Sequence, residues 1–388
     1  MLNINQINEI NDIEQDYEYT KYSIFQNKGL SGLVNLGNTC FINSSLQILS
    51  HTYELNLFLN NENFKDKLND KIDTMLLIEW NCLRELLWQK NCIIIPKRFI
   101  KTIHIVSNQK KNELFQNFQQ NDIAEFILFV LDTFHNSLSR EVEIQINGKI
   151  LNEKDKIALN CYNVLSKMYS KDYSEIIDLF YGLQVSLIQP LKTQNNHNMQ
   201  KKCDDHLFCG EDKYIKNIVE PFFFLNLCIP AKNTAKGVLE EINLYDCFNL
   251  YTKEEILDGD NCVFNELTNK KEEVKKKVLF WNFPKILIIV LKRFNNYNEK
   301  NCDKIIFPLH NLDLEDYVVG YEKSQYKYQL YGVCNHHGNI HGGHYTCFIQ
   351  NANKKWYLFN DDEVTEIDDL NNIVTNNAYC LFYRKKNI

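Results

Sequence analysis

Apolar positions recur with helical spacing through the first part of the chain. Leu76, Leu77, Trp80, Leu83, Leu87 and Trp88 form one stripe, and Ile123, Phe126, Ile127, Val130, Leu131, Phe134 and Leu138 form another. Steps of three and four residues predict two amphipathic helices, each turning its stripe to a core. From Gly29 to about Ser170 the pattern is mostly helical. After about residue 175 it changes. Gly182 to Leu187, Pro221 to Ile229 and Lys285 to Phe294 are apolar, β-branched or aromatic runs that predict strands. Polar Lys192 to Lys216 reads as a loop or fingertip, and charged Thr268 to Lys277 as a solvated hairpin or helix face. Tyr326 to Tyr383 holds several short strand candidates. A helical lobe followed by a β lobe predicts an α+β fold with a cleft where the two meet. Residues 1–28 lack sustained periodicity and are rich in Asn and acidic side chains. They read as an extension to a folded domain of 29–388, one that a regulatory partner could order.

Composition narrows the class. The 388 residues are 44% hydrophobic, with 24 Phe and 21 Tyr, enough for a sizeable core. Only 13 Gly and 6 Pro exclude collagen-like and low-complexity architectures. A net charge of −7 gives no electrostatic reason to bind nucleic acid or an anionic membrane, and it is compatible with a basic partner. No run approaches the ~18 apolar residues of a membrane span, and the polar, acidic start is unlike a secretion signal. Thirteen cysteines, an odd count without a framework of spacings, read as reduced thiols in an intracellular setting, cytoplasmic or nuclear.

The chemistry is concentrated in two stretches. In Gly32-Leu33-Val34-Asn35-Leu36-Gly37-Asn38-Thr39-Cys40 two glycines and two asparagines crowd a short apolar run, which marks a constrained loop. Ile42, Leu46 and Leu49 then follow at helical spacing, and Thr39 or Asn38 could cap the helix. Cys40 is thereby expected on the first turn of a buried helix, where free N–H groups favour a thiolate. Backbone N–H groups there and the Asn35 amide could stabilise an oxyanion, or Asn35 could simply hold the loop.

The second stretch puts His336, His337, His341 and His344 within nine residues. Without carboxylates or paired cysteines at ligand spacing, a metal site is the weaker reading, and none is assigned. The stronger one makes His344 a base on a strand starting at Gly343. A hairpin centred on Ala352 would set His344 opposite Asn360, close enough for the Asn oxygen to accept the imidazole N–H. A slip of one residue would bring Asp361 there instead. Cys40, His344 and Asn360 then supply nucleophile, base and orienter for acyl transfer.

Gly32 to Gln47 resembles the cysteine box of the ubiquitin-specific proteases, the papain-like deubiquitinases. His337 to Tyr345, Trp356 to Asp361 and Ala378 to Tyr383 resemble its histidine box. Gln120-Asn121-Asp122-Ile123-Ala124-Glu125-Phe126, Glu220-Pro221-Phe222 and Leu291-Lys292-Arg293-Phe294 are similar to further blocks of that family, in family order. The resemblance implies a papain-like fold with a helical thumb and a β palm and fingers. It implies cysteine-protease cleavage after the C-terminal Gly-Gly of ubiquitin, with ubiquitin and ubiquitinated proteins as partners and no cofactor. A catalytically weak ubiquitin-binding scaffold, or a protease for a ubiquitin-like modifier, are the alternatives. Carried over by position, Cys40 is the nucleophile, His344 the base and Asn360 the third member. Asn35 is the oxyanion residue and Asp361 an assisting acid. Gln120 and Asp122 contact the ubiquitin tail, Asp122 also suiting a helix N-cap, and Tyr345 flanks the channel. The family's two zinc-binding Cys-x-x-Cys pairs fall on Gln189 and Lys192, and on Asn265 and Thr268, so no zinc is expected there. Cys203, His206, Cys209 and Cys262 offer a relocated site only without a full tetrahedral set.

Overall fold

A computed structural model of the chain describes residues 21–191, 216–232, 241–265, 268–340 and 342–386. Its first part holds α1 (Cys40–Ser50), α2 (Tyr53–Leu59), α3 (Thr74–Gln89), α4 (Lys97–Gln109), α5 (Ile123–Leu138), α6 (Glu153–Asp172) and α7 (Glu175–Phe180). Both apolar stripes face inward: α3 buries Leu76, Leu77, Trp80, Leu83 and Leu87, and α5 buries its full stripe. All eleven residues of α1 are buried, with α5 on one flank and the β lobe on the other. Two of its polar side chains are tied to backbone. Ser45 Oγ donates to Phe41 O at 2.7 Å, and Gln47 Nε2 donates to Ser31 O at 2.7 Å.

The β lobe contains β1 (Gly182–Pro190), β2 (Lys216–Phe222), β3 (Phe224–Cys228), β4 (Glu255–Leu257), β5 (Val263–Asn265), β6 (Lys270–Glu272), β7 (Val274–Asn282) and β8 (Ile286–Lys292). It continues with β9 (Lys327–Asn339), β10 (Gly342–Gln350), β11 (Trp356–Asn360), β12 (Glu363–Ile367) and β13 (Ala378–Lys385). One sheet, ordered β12-β11-β10-β9-β13-β8-β3, forms the wall against α1, and a second, β2-β1-β7-β4, extends from it. The interior is two large apolar clusters, one between the helices and the main sheet, the other on that sheet's far side. The far cluster is closed by α8 (Leu244–Tyr251), whose Asn243 and Asp246 form a reciprocal capping box. The charged run of residues 268–277 is the β5–β6 hairpin strand and the start of β7. Residues 192–215, including Cys203, His206 and Cys209, lie outside the described residues. At the positions where the family pattern places its second cysteine pair, Asn265 Nδ2 donates to Glu272 Oε2 at 2.9 Å and Thr268 Oγ1 donates to Glu272 Oε1.

The stretch just before residue 29 packs on the fold. Tyr22 and Phe25 are buried: Phe25 stacks on Tyr53 at 4.8 Å and meets Trp88 edge-on at 5.0 Å. Burying a ring such as Phe25 contributes about 2 kcal/mol, a gain that depends on partners 28 and 63 positions away and leaves no local periodicity. Tyr22 Oη and Arg384 Nε both donate to Glu54 Oε1, at 2.8 and 2.6 Å, so the ends of the described chain meet there. No helix among the described residues is long and apolar enough to cross a membrane.

Candidate active site

The loop before α1 is built around one side chain. Asn35 Oδ1 accepts from Gly37 N at 3.0 Å, Thr39 N at 3.1 Å and Thr39 Oγ1 at 3.1 Å. Gly37 and Asn38 take left-handed backbone (φ +102° and +54°), conformations that Gly and Asn tolerate. These turns explain why the expected cap is not made. The Thr39 hydroxyl is spent on Asn35 and on Leu36 N, and the Asn38 amide donates to Phe118 O, so neither side chain caps α1. The helix start keeps its N–H groups open around Cys40.

Cys40 is 3% exposed. Burial, the largest influence, and the Asp361 carboxylate push its thiol above the ordinary range. The Tyr345, Phe41 and Cys40 backbone N–H groups pull it back only in part. Burial and the Asp361 charge thus favour the thiol, opposing the pull of the helix start toward the thiolate. Helix α1 packs on β10, and Tyr345, one residue from His344, lines the same cavity as Cys40.

His344 Nε2 lies 2.6 Å from Asn360 Oδ1. The oxygen can only accept, so Nε2 carries a proton and the neutral ring is the tautomer whose Nδ1 is the acceptor. The hairpin reaches this pairing in a different register from the one expected. Phe348 faces Leu358 and Gln350 faces Trp356, two residues out from the expected Phe348–Trp356 pairing, because the turn runs from Asn351 to Lys355. An even shift leaves every side chain on its own face. Asn360 becomes the diagonal rather than the direct neighbour of His344, still within reach.

Asp361 does not stand in for Asn360. Its backbone is left-handed (φ +52°), which turns its carboxylate toward the Cys40 loop. Oδ2 accepts from Asn35 Nδ2 at 2.9 Å, Oδ1 accepts from Asn43 Nδ2 at 2.7 Å, and its carbonyl accepts from Leu33 N at 2.8 Å. Gly32 permits this approach, since a Cβ there would lie 2.1 Å from Asp362 O. Asn43, one turn along α1 from Cys40, was not singled out in the sequence; its spacing from the cysteine is the signal that could have found it.

A cavity of about 590 Å³ opens beside Cys40, lined among others by Gln120, Asp122, Glu125, His336 and Tyr345. Asp122 caps α5 through Oδ1, accepting from Ala124 N and Glu125 N at 2.8 and 3.2 Å, while Oδ2 accepts from Tyr379 Oη at 2.6 Å. Tyr345 is buried with its ring 4.8 Å from that of His336. Gln120 pairs with the backbone of Gly343 rather than standing free. Glu125 and His336 were not assigned roles from sequence. Burial and then Asp122 raise the Glu125 carboxyl, and burial, then Lys300, holds His336 down at about 4, neutral. His341 lies outside the described residues, and among those described no group of three His, Cys, Asp or Glu could hold a metal ion.

Residues 31–383 match the family model described as ubiquitin carboxyl-terminal hydrolase. Ubiquitin carboxyl-terminal hydrolase 2 of Homo sapiens is 33% identical over 371 residues, covering 92% of this chain and 55% of that protein. Ubiquitin carboxyl-terminal hydrolase Usp2 of Drosophila melanogaster is 30% identical over 93% of this chain and 35% of its own length. A probable ubiquitin carboxyl-terminal hydrolase of Acanthamoeba polyphaga mimivirus is 28% identical over 93% of this chain and 91% of its own. The chain therefore spans about a third of the fly relative and about half of the human one. Among solved structures, the SAGA DUB module of Ubp8, Sgf11, Sus1 and Sgf73 bound to monoubiquitin superposes with a TM-score of 0.67 at 22% identity, over 94% of this chain and 71% of that one. That likeness shows the shared fold.

Proposed function

The chain belongs to the ubiquitin carboxyl-terminal hydrolase family, and from that premise we propose that it is a thiol-dependent deubiquitinase that hydrolyses the isopeptide or peptide bond after the C-terminal Gly-Gly of ubiquitin. The observation that carries this reading is the juxtaposition of the Cys40 sulfur with the strand bearing an Asn360-oriented His344. In the proposed reaction His344 Nδ1 takes the Cys40 proton, and the thiolate attacks the carbonyl of the last glycine. The imidazolium then protonates the leaving amine, and water hydrolyses the thioester. Asn360 holds the ring in the tautomer this sequence needs.

Asn35 offers the oxyanion its second Nδ2 hydrogen, the first being held by Asp361, alongside N–H groups at the start of α1. Asp361 acts here as a positioning residue for that donor. Asp122 Oδ2, which accepts one bond, keeps a lone pair for a basic side chain of the tail, and Tyr345 walls the same cavity. The negative net charge suits a basic tail.

Ubiquitin bearing an electrophilic C-terminus tests the reading. The expected result is a covalent adduct at Cys40, located by mass spectrometry, together with turnover of a ubiquitin–reporter fusion. Ubiquitin binding with neither adduct nor turnover would leave a scaffold, and turnover confined to a ubiquitin-like fusion would change the substrate.

A further inference from the structure

The mouth of the cavity is bridged by one side chain. Gln120, exposed in the loop before α5, forms a reciprocal pair with a single backbone residue across the cleft. Its Nε2 donates to Gly343 O at 3.0 Å, and its Oε1 accepts from Gly343 N at 3.0 Å. An N–H and a C=O of one residue pointing the same way is what a strand offers to the residue opposite it in an antiparallel ladder. At Gly343 the other edge of β10 is paired with β9, Gly343 lying opposite Gly338. Pairing with β11 stops at Cys347–Phe359, four residues further along. The edge of β10 at Gly343 therefore presents a strand-pairing site that no strand among the described residues occupies, and the Gln120 amide fills it. The backbone there is stripped of side chains for steric reasons. A Cβ on Gly343 would sit 2.4 Å from both His336 Nε2 and His337 O, and one on Gly342 would sit 3.2 Å from Gln120 Oε1. Gln120, Gly343 and Cys40 line the same cavity.

We propose that Gln120 is a placeholder: in the free enzyme its amide occupies the pairing site of Gly343, and the extended Gly-Gly tail displaces it, giving Gly343 a backbone partner in exchange for a side-chain one. Gly343 makes two hydrogen bonds before and after, so the exchange is close to balanced, and the displaced amide is taken up by water. A segment that enters this way must lay bare backbone along β10. This inference rests on the deubiquitinase reading above, and it departs from the family-derived expectation that Gln120 serves as a tail contact.

The test is steady-state turnover of a ubiquitin–reporter fusion by the full chain and by Gln120→Ala. Removing the competitor should lower KM about three- to tenfold, the equivalent of two exposed hydrogen bonds, with kcat/KM rising to match. Gln120→Asn, too short to reach, should act in the same direction. A readout that needs no substrate accompanies it. With only 13 glycines in the chain, ¹⁵N-glycine labelling resolves Gly343. Its amide should exchange faster in free Gln120→Ala than in free wild type, and should stay protected in the wild-type covalent ubiquitin adduct. A KM that is unchanged or raised in Gln120→Ala, or a Gly343 amide indifferent to the substitution, overturns the placeholder while leaving wild-type turnover intact. Wild type that turns over no ubiquitin fusion removes the deubiquitinase reading, and this inference with it.

Discussion

The Cys40 side of the cleft and the bridge across the cleft are held in different ways. On the Cys40 side of the cleft the Asn35 and Asp361 side chains are each tied more than once. Asn35 Oδ1 takes three donors, and the Asp361 carboxylate joins Asn35 to Asn43, so the oxyanion loop, α1 and the end of β11 form one network. Hydrogen bonds to an ionised carboxylate, partly buried and shared among neighbours, are the stronger kind. Across the cleft Gln120 meets Gly343 through two neutral bonds at an exposed residue, where water competes for both groups. The contrast suits the division of labour proposed here: the side that must stabilise charge is fixed in advance, and the bridge that must yield to a chain is exchangeable.

The sharpest way to break this comparison is to remove the chemistry from the fixed side alone. Cys40→Ala should abolish hydrolysis while ubiquitin still binds, read by turnover and by calorimetric titration. His344→Ala should follow closely, with kcat/KM down about 10²–10⁴-fold. Next comes the network itself. Asn35→Ala should lower kcat about 10²–10³-fold. Asp361→Ala should lower it by a similar factor, and the double variant by little more than either, because both act through one donor. Fully multiplicative losses would show that the two residues act separately. Asn360→Ala should cost less than His344→Ala, since the ring survives with a looser orientation.

A smaller effect concerns the resting thiol. Alkylation of free Cys40 by iodoacetamide should rise with pH through a midpoint above that of an ordinary thiol, because burial disfavours the thiolate. Asp361→Asn should move that midpoint down by removing a neighbouring negative charge. A wild-type profile already flat below pH 8 would contradict that bias toward the thiol.

Much of this site is legible in the chain. Cys40 on a buried helix start, and the His344–Asn360 pair, follow from local spacing, and the pair survives an error of two in hairpin register because parity, not register, decides which face a side chain takes. What escapes is whatever depends on competition among neighbours. Thr39 has the chemistry of a cap but is claimed by Asn35, and Asp361 is turned away from His344 by a left-handed backbone. The fate of Tyr22 and Phe25 is written in Tyr53, Trp88 and Arg384, which no window of neighbouring positions contains. The box around α8 was visible as Asn243 and Asp246, three apart, yet it sits in a region whose runs speak for strands.

Away from the cleft, His51 at the end of α1 gives the weakest handle. It is wholly buried with its protonation held down to about 4, chiefly by burial. The unfolded chain takes up that proton near pH 6.5, so stability should fall as pH drops from 6.5 toward 4, by up to about 3 kcal/mol. His51→Gln should flatten that slope in denaturant titrations across this range.

The clasp of Tyr22 and Arg384 around Glu54 has a practical corollary for engineering. With the Arg384 guanidinium 5.1 Å from the Tyr22 ring, a short peptide could splice the two extremities of the described chain. The backbone could then be cut afresh at the exposed Asn295–Asn298 turn, yielding a circular permutant whose cleft is assembled as before.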